Sequence, residues 1–355
     1  IKVEPMDGDW ARNLGQEYGE HSAFSVAANL GKKSIVIDLK NQKSLKIIDK
    51  IIKDVDVFIE GFRPGVIDKL GLGYERLKKN NPKLIYLSIS GFGQKGPMSK
   101  KPAMDPVIQA FTGFMSENKG PDDIPHRTPV IMFDMATALY AMQIISATIF
   151  ARISEKFGKK IEISLMESAA AFQSIRLMSG YMEGPYKHAS SPSGTFKTKD
   201  GWIQLIVVKN HEFTKFCDAV GWNKFKDDPR FSSNTKRREH ENFLTEEVQK
   251  LFAKKPTDYW KNLLDQYQVQ NEKVQSYKEF VESNQSKELN LISWLDQPTT
   301  GKLWPIPNIP GLSKLIENDS NSSAPSLGQH TKEILLNQGY TSEEILNLKI
   351  QKIIA

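Results

Sequence analysis

Three apolar runs with strand character, KSIVIDL (33–39), VDVFIEG (55–61) and KLIYLSIS (83–90), are separated by two helical segments. This alternation restricts the fold more than any other feature of the chain. The first intervening segment, NQKSLKIIDKIIKD, puts Leu45, Ile48, Ile51 and Ile52 on one face of a helix, and the second, VIDKLGLGYERLKKNN, follows the break FRPG. Strands joined by helices at this spacing predict a parallel sheet in an α/β layer, because a parallel partner requires a crossover that returns the chain to the same end of the sheet. Ligands of such sheets lie beyond the carboxyl ends of the strands.

The third run leads into GFGQKG (91–96), which satisfies the G-x-G-x-x-G spacing of dinucleotide sites. That fingerprint works only where its glycines open a helix whose N-terminus holds a pyrophosphate. Pro97 and Pro102 delay any helix to Asp105, so a nicotinamide cofactor is not expected. Asp105 and Pro106 then start DPVIQAFTGFM, with proline at its favoured first position. After a polar loop comes PVIMFDMATALYAMQIISATIFARI (129–153), where Asp134 stands between a short apolar run and a helix expected from Met135 to Ile153 and largely buried. Locally Asp134 reads as the N-cap of that helix. A carboxylate at the buried end of a core helix is also one that can be held in a single orientation away from water, which is what catalysis by an acid requires. The strand IEISL (161–165) and a helix begun by Glu167 follow; an acid in a first helical turn is ordinary electrostatics, so Glu162 and Glu167 are weaker candidates.

Near residue 183 the Gly/Pro/Ser segment EGPYKHASSPSG marks a boundary. Beyond it, GTFKTKDGWIQLIVV reads as two strands turned at Asp200-Gly201, and residues 211–285 are helical. An extended piece (301–311) and two short helices close the chain. The expected division is therefore 1–185, 186–300 and 301–355. Lysines scattered along the chain account for the net charge of +6, and no basic and aromatic stripe recurs at a nucleic-acid-binding spacing, so a nucleic-acid partner is not expected. Apolar runs are interrupted before the length of a bilayer, and neither a membrane span nor a signal peptide is expected. The single cysteine, Cys217, excludes an intramolecular disulfide, suits a reducing cytoplasm, and sits in EFTKFCDAVG as a core residue rather than a nucleophile. The six histidines lie far apart, so no metal site is expected.

The order of segments resembles the family III CoA transferases (CaiB/BaiF family) and the related α-methylacyl-CoA racemases. The matching stretches include IKVEP (1–5), KSIVIDLK (33–40), IEGFRPGVIDKLGLGYERLKKNNPKLIYLSISGFGQKGP (59–97), MDPVIQAFTG (104–113), GKKIEISLMES (158–168) and SLGQHTKEILLNQGYTSEEI (326–345). The resemblance starts after the family's first strand and glycine-containing turn. It implies a large Rossmann-like parallel-sheet domain built from both chain ends, a smaller α+β domain, and an interlocked homodimer. It makes Asp134 the catalytic residue, with coenzyme A or acyl-CoA and a small carboxylic acid as substrates and no resident cofactor. By resemblance Ile37, Lys40, Phe62, Lys69 and Leu70 line the adenine and phosphate site, and Met104 and Asp105 complete the CoA site. The implied reaction is attack of the Asp134 carboxylate on an acyl-CoA thioester, followed by an aspartyl-CoA thioester that a second acid consumes. The racemases carry a histidine where this chain has Met104, and exchange of an α-proton across both faces needs two groups. Transfer is therefore expected, with a racemase-like isomerase or a noncatalytic CoA-binding homologue as alternatives, in the cytoplasm or, in a eukaryote, the mitochondrial matrix.

Overall fold

The computed structural model describes residues 1–120 and 122–355. They form two compact units, residues 1–184 with 292–355 and residues 185–291. The second boundary lies before residue 300 because Ile292–Gln297 pairs antiparallel with Lys302–Pro307, and the Gln297 side-chain amide bonds Ala324 through both its nitrogen and its oxygen. These pairings tie residues 292–300 to the returning segment.

In the first unit, β1 (Lys2–Glu4) runs parallel to β2 (Ser34–Val36). Helix α1 (Ser44–Ile51) leads to β3 (Val57–Glu60) and then β4 (Ile85–Ser90), and after α2 (Asp105–Phe111) and α3 (Met132–Glu155) the strand β5 (Lys160–Ser164) completes a parallel sheet in the order β3-β4-β5. The β4 run YLS is buried on both faces, as parallel strands are, whereas β5 alternates. Helices α4 (Leu165–Phe172) and α5 (Ser174–Glu183) follow; the sequence reads them as one, and the break falls at Gln173. Ile47, Ile48 and Ile51 of α1 pack in one cluster with Ile35, Ile37, Leu84 and Tyr86, and Leu335, Ile353 and Ile354 join it from the C-terminus. The bridge from Ile37 to Ile354 and the bond from Asp38 N–H to the Ile353 carbonyl fasten that return. The large unit is thus built from both ends of the chain.

Helix α3 lies on the sheet through Ala141 and Ile145, which share a cluster with Leu87 and with Val57, Ile89, Ile161 and Ile163. It is not largely buried, contrary to the sequence expectation. Its apolar residues run around the whole cylinder, but a helix layered on one sheet hides only one side. Leu139, Met142, Phe150 and Ile153 are exposed, Phe150 by 77%. Its 24 residues are also long and apolar enough to cross a membrane by length and composition, which the sequence reading did not anticipate. Its packing on β3–β5 is that of a helix in an α/β layer.

The second unit has an antiparallel sheet of Ser193–Lys197, Trp202–Ile206 and Asn271–Lys273, the first two joined by the Asp200-Gly201 turn. Helices Asn210–Val220, Glu241–Phe252 and Thr257–Gln266 supply Phe216, Phe252 and Trp260 to its core. Cys217 is fully buried there, and burial pushes its thiol up to about 12, so it is inert as a nucleophile.

Candidate active site

The carboxyl end of β4 is followed at once by Gly91, where a Cβ would lie 2.2 Å from that of Ala103. Glycine therefore lets residues 102–104 close over the strand end. No helix forms in 91–104, so the GFGQKG run is a loop, as its prolines predict. Its conformation is set by Ser90, whose Oγ accepts from Gly93 N–H, and by Gln94, whose Nε2 donates to Ser88 Oγ at 2.8 Å. Ser88 in turn donates to the buried Glu60, which also accepts from Phe62 N–H at 2.9 Å. This chain of bonds fixes the FRPG segment against the loop.

Between FRPG, the 91–104 loop and the first turn of α3 lies a cavity of roughly 480 Å³. Phe62, Arg63, Lys101, Met104 and Asp134 line it. Of the residues expected at the site, the fold brings Phe62, Met104 and Asp134 together, with Asp105 buried behind them. Ile37 is fully buried and Leu70 packs on the same cluster, while Lys40 and Lys69 are exposed; none of the four lines the cavity. Arg63 and Lys101 were not singled out from the sequence. Nothing local marks either one, since an arginine in a Pro-Gly turn and one lysine of a Lys-Lys pair read as solvated charges.

Neither acid caps its own helix, although local reading expects this of both. Helix α3 begins at Met132, three residues further into the apolar run Ile131–Phe133 than expected, so Asp134 sits within its first turn and is not its N-cap. The N-cap position is Ile131, which has no capping side chain. Asp105 provides the cap from outside: its Oδ2 accepts from Phe133 N–H at 2.7 Å and from Asp134 N–H at 3.2 Å. Asp105 is itself the first residue of α2, and its carboxylate bridges the two helices, with Oδ2 on α3 and Oδ1 on Gln109 of its own helix. Consequently no hydrogen bond reaches the Asp134 carboxylate among the described residues. Desolvation by burial, and then the neighbouring charge of Asp105, raise its pKa to about 6. An acid with that value is mostly ionised at neutral pH yet more basic than an ordinary aspartate.

Residues 1–331 match the family described as CoA-transferase family III. The chain belongs to that family. Its relatives include the acetyl-CoA:oxalate CoA-transferase of Acetobacter aceti, 33% identical over 74% of this chain and 70% of that protein. The succinyl-CoA:glutarate CoA-transferase of Mus musculus is 31% identical over 94% of this chain and 79% of that protein. Among solved structures, a CaiB/BaiF family protein from Brucella suis superposes with a TM-score of 0.82 at 25% identity, covering 95% of this chain and 90% of that one. The fold expected from the sequence is the fold of this family.

Proposed function

We propose that this member of CoA-transferase family III moves CoA from an acyl-CoA to a free carboxylic acid, with Asp134 as the nucleophile. The observation that carries the reading is the Asp134 carboxylate itself, exposed to a cavity at the strand ends, free of hydrogen bonds and raised to about 6. A carboxylate solvated by water or N–H groups is a poor nucleophile toward a thioester, and one stripped of both is a better one.

In the proposed sequence Asp134 attacks the thioester carbonyl, the C–S bond breaks, and CoA leaves as its thiolate from a mixed anhydride. The thiolate attacks the aspartyl carbonyl, expelling the donor acid and forming an aspartyl-CoA thioester. The acceptor carboxylate attacks that thioester and releases the thiolate once more. The thiolate then attacks the acceptor's acyl carbonyl, which forms the new acyl-CoA and regenerates Asp134. No net proton is transferred, which suits a site where Asp134 is the one acid lining the cavity among the described residues. Arg63 and Lys101 give the cavity positive charge, which fits short dicarboxylates such as those named for the two relatives. The CoA nucleotide is proposed to extend over Lys40 and Lys69. A second copy of the chain is proposed to cover the exposed apolar side of α3, in a homodimer within a reducing compartment.

Met104 in the histidine position of the racemases puts a thioether where that reaction uses a base, which disfavours the isomerase reading. The test is Asp134→Ala. It should abolish CoA exchange between two acids and the covalent CoA adduct that the unaltered protein forms with acyl-CoA, read by intact mass spectrometry. Full exchange in the variant would refute the role of Asp134, and deuterium uptake into a 2-methylacyl-CoA without exchange would favour the isomerase.

A further inference from the structure

Gln109 is fully buried on α2, one turn beyond Asp105, and no step of the proposed chemistry uses it. A buried primary amide has two donors and one acceptor to satisfy. Here Gln109 Nε2 donates to Asp105 Oδ1 and, at 3.5 Å, to the Val130 carbonyl, while Gln109 Oε1 accepts from Thr128 N–H at 3.0 Å. The side chain therefore joins α2, the Asp105 carboxylate and the 128–130 strap that enters α3. Holding Oδ1 of Asp105 leaves its other oxygen, Oδ2, aimed at the N–H groups of Phe133 and Asp134.

The first N–H groups of a helix take whichever acceptor is nearest. With Asp105 in place they are occupied. If Asp105 turned away, the nearest carboxylate would be that of Asp134, in the first turn of the same helix. We infer that Gln109 is a positioning residue for Asp134: by fixing Asp105 it keeps the terminal N–H groups of α3 off the reacting carboxylate. Its effect is indirect, since it does not line the cavity, and it rests on Asp134 being the reacting group. Asp105 from α2 is the charge that acts on Asp134, and Arg63 from the FRPG segment and Lys101 from the 91–104 loop line the same cavity. Substitution at Gln109 replaces none of them, and Asp105 is the one that it frees to move.

Gln109→Met keeps the volume and removes both donors and the acceptor. Thr128→Pro leaves the Gln109 amide intact and removes the N–H that anchors its oxygen, together with the Thr128 Oγ1 bond to the Val130 carbonyl, so it loosens the same tether from the strap side if the first variant does not fold. The Asp134 carboxyl is titrated by infrared difference against Asp134→Asn in each background, alongside kcat and KM for exchange. In Gln109→Met the titration is expected to fall from about 6 by about one unit, the acid limb of kcat/KM to move with it, and kcat to drop about tenfold while KM for the acyl-CoA stays within about twofold. Thr128→Pro should move the titration the same way by less. An unchanged Asp134 titration in a folded variant overturns the inference, and so does a loss of kcat with no movement of the acid limb, which is what a merely structural role would give. The infrared readout needs no turnover, so a shifted titration in a protein without exchange activity would uphold the tether while refuting the transferase reading.

Discussion

At the scale of the residue, the site separates two tasks that a single acid in a helix first turn would have to combine. Asp105 takes the N–H groups of α3, and Asp134 is left bare. The arrangement has a thermodynamic signature. A carboxyl whose folded pKa lies above its unfolded value binds more protons in the folded state between the two, so stability falls as pH rises through that window. For Asp134 the window runs from the ordinary aspartate value, 3.8, to about 6, and above it the native state carries the full cost of a desolvated charge beside Asp105. Asp134→Asn is therefore expected to be inactive yet more stable than the parent at pH 8. The gain is on the order of 1–2 kcal/mol, the full shift being discounted for the side open to solvent. The gain should shrink as pH falls through 6 and vanish below about 4. Urea denaturation of both proteins at several pH values measures it, and a pH-independent difference would mean that Asp134 is not strained in this way. The residue-level signs in the sequence were adequate to single out both acids but not to allot their roles. An Asp beside an apolar run does not by itself fix where the helix starts, and only the tertiary approach of α2 to α3 decides which carboxylate meets which N–H.

At the scale of the element, β3, β4 and β5 stand where their apolar runs place them, and α1 buries the expected stripe, because each pattern has one compatible period. Helix α3 was legible as a helix but not in its burial. A cylinder apolar on every side indicates that everything around it is meant to be covered, without saying by what. Within one chain α3 buries Phe133, Ala136, Thr137, Ala141, Ile145 and Thr148, and Leu139, Met142, Phe150 and Ile153 remain outside. Exposed apolar side chains contiguous on a helix are rare on monomeric proteins and mark an interface. If a second copy covers α3, Leu139→Lys should convert a dimer to a monomer in sedimentation velocity, since a desolvated lysine against that face is unfavourable by several kcal/mol. The far-UV circular dichroism should stay unchanged, because Leu139 is 69% exposed within its own chain and contributes little to it. A protein that sediments as a monomer before the substitution would remove the homodimer from the proposal.

At the scale of the whole molecule, what the sequence could not display is how the two ends of the chain hold one unit together. The N-terminal strand carries Glu4, 1% exposed, and the sequence EPMDGDWAR reads as an acidic loop with nothing to mark a buried charge. In the fold, Arg12 grips that carboxylate from Nε at 2.9 Å and Nη2 at 2.7 Å, and Nη2 also reaches the Pro325 carbonyl, 313 residues away in the chain. Ser34 Oγ donates to Glu4 at 2.6 Å and accepts from Gly328 N–H at 2.9 Å. The network therefore binds β1, β2 and the C-terminal return, which is why a charge is kept where an apolar residue would otherwise sit. Burial alone would raise the Glu4 pKa, but the bonds from Arg12 and Ser34 and the charge of Lys2 outweigh it and hold the carboxyl at about 2. A folded pKa below the unfolded one contributes stability that is complete above the ordinary glutamate value, 4.5, and is lost as pH falls toward 2. Glu4→Gln keeps the shape but leaves Arg12 as a buried cation without its partner, and should destabilise the large unit by about 3 kcal/mol at pH 7, the usual cost of breaking a buried pair from one side. The difference between variant and parent should narrow below pH 4 as the parent loses its own ion pair. Chemical denaturation at pH 7 and pH 3 measures both arms. A constant difference across that range would assign the effect to packing instead of charge.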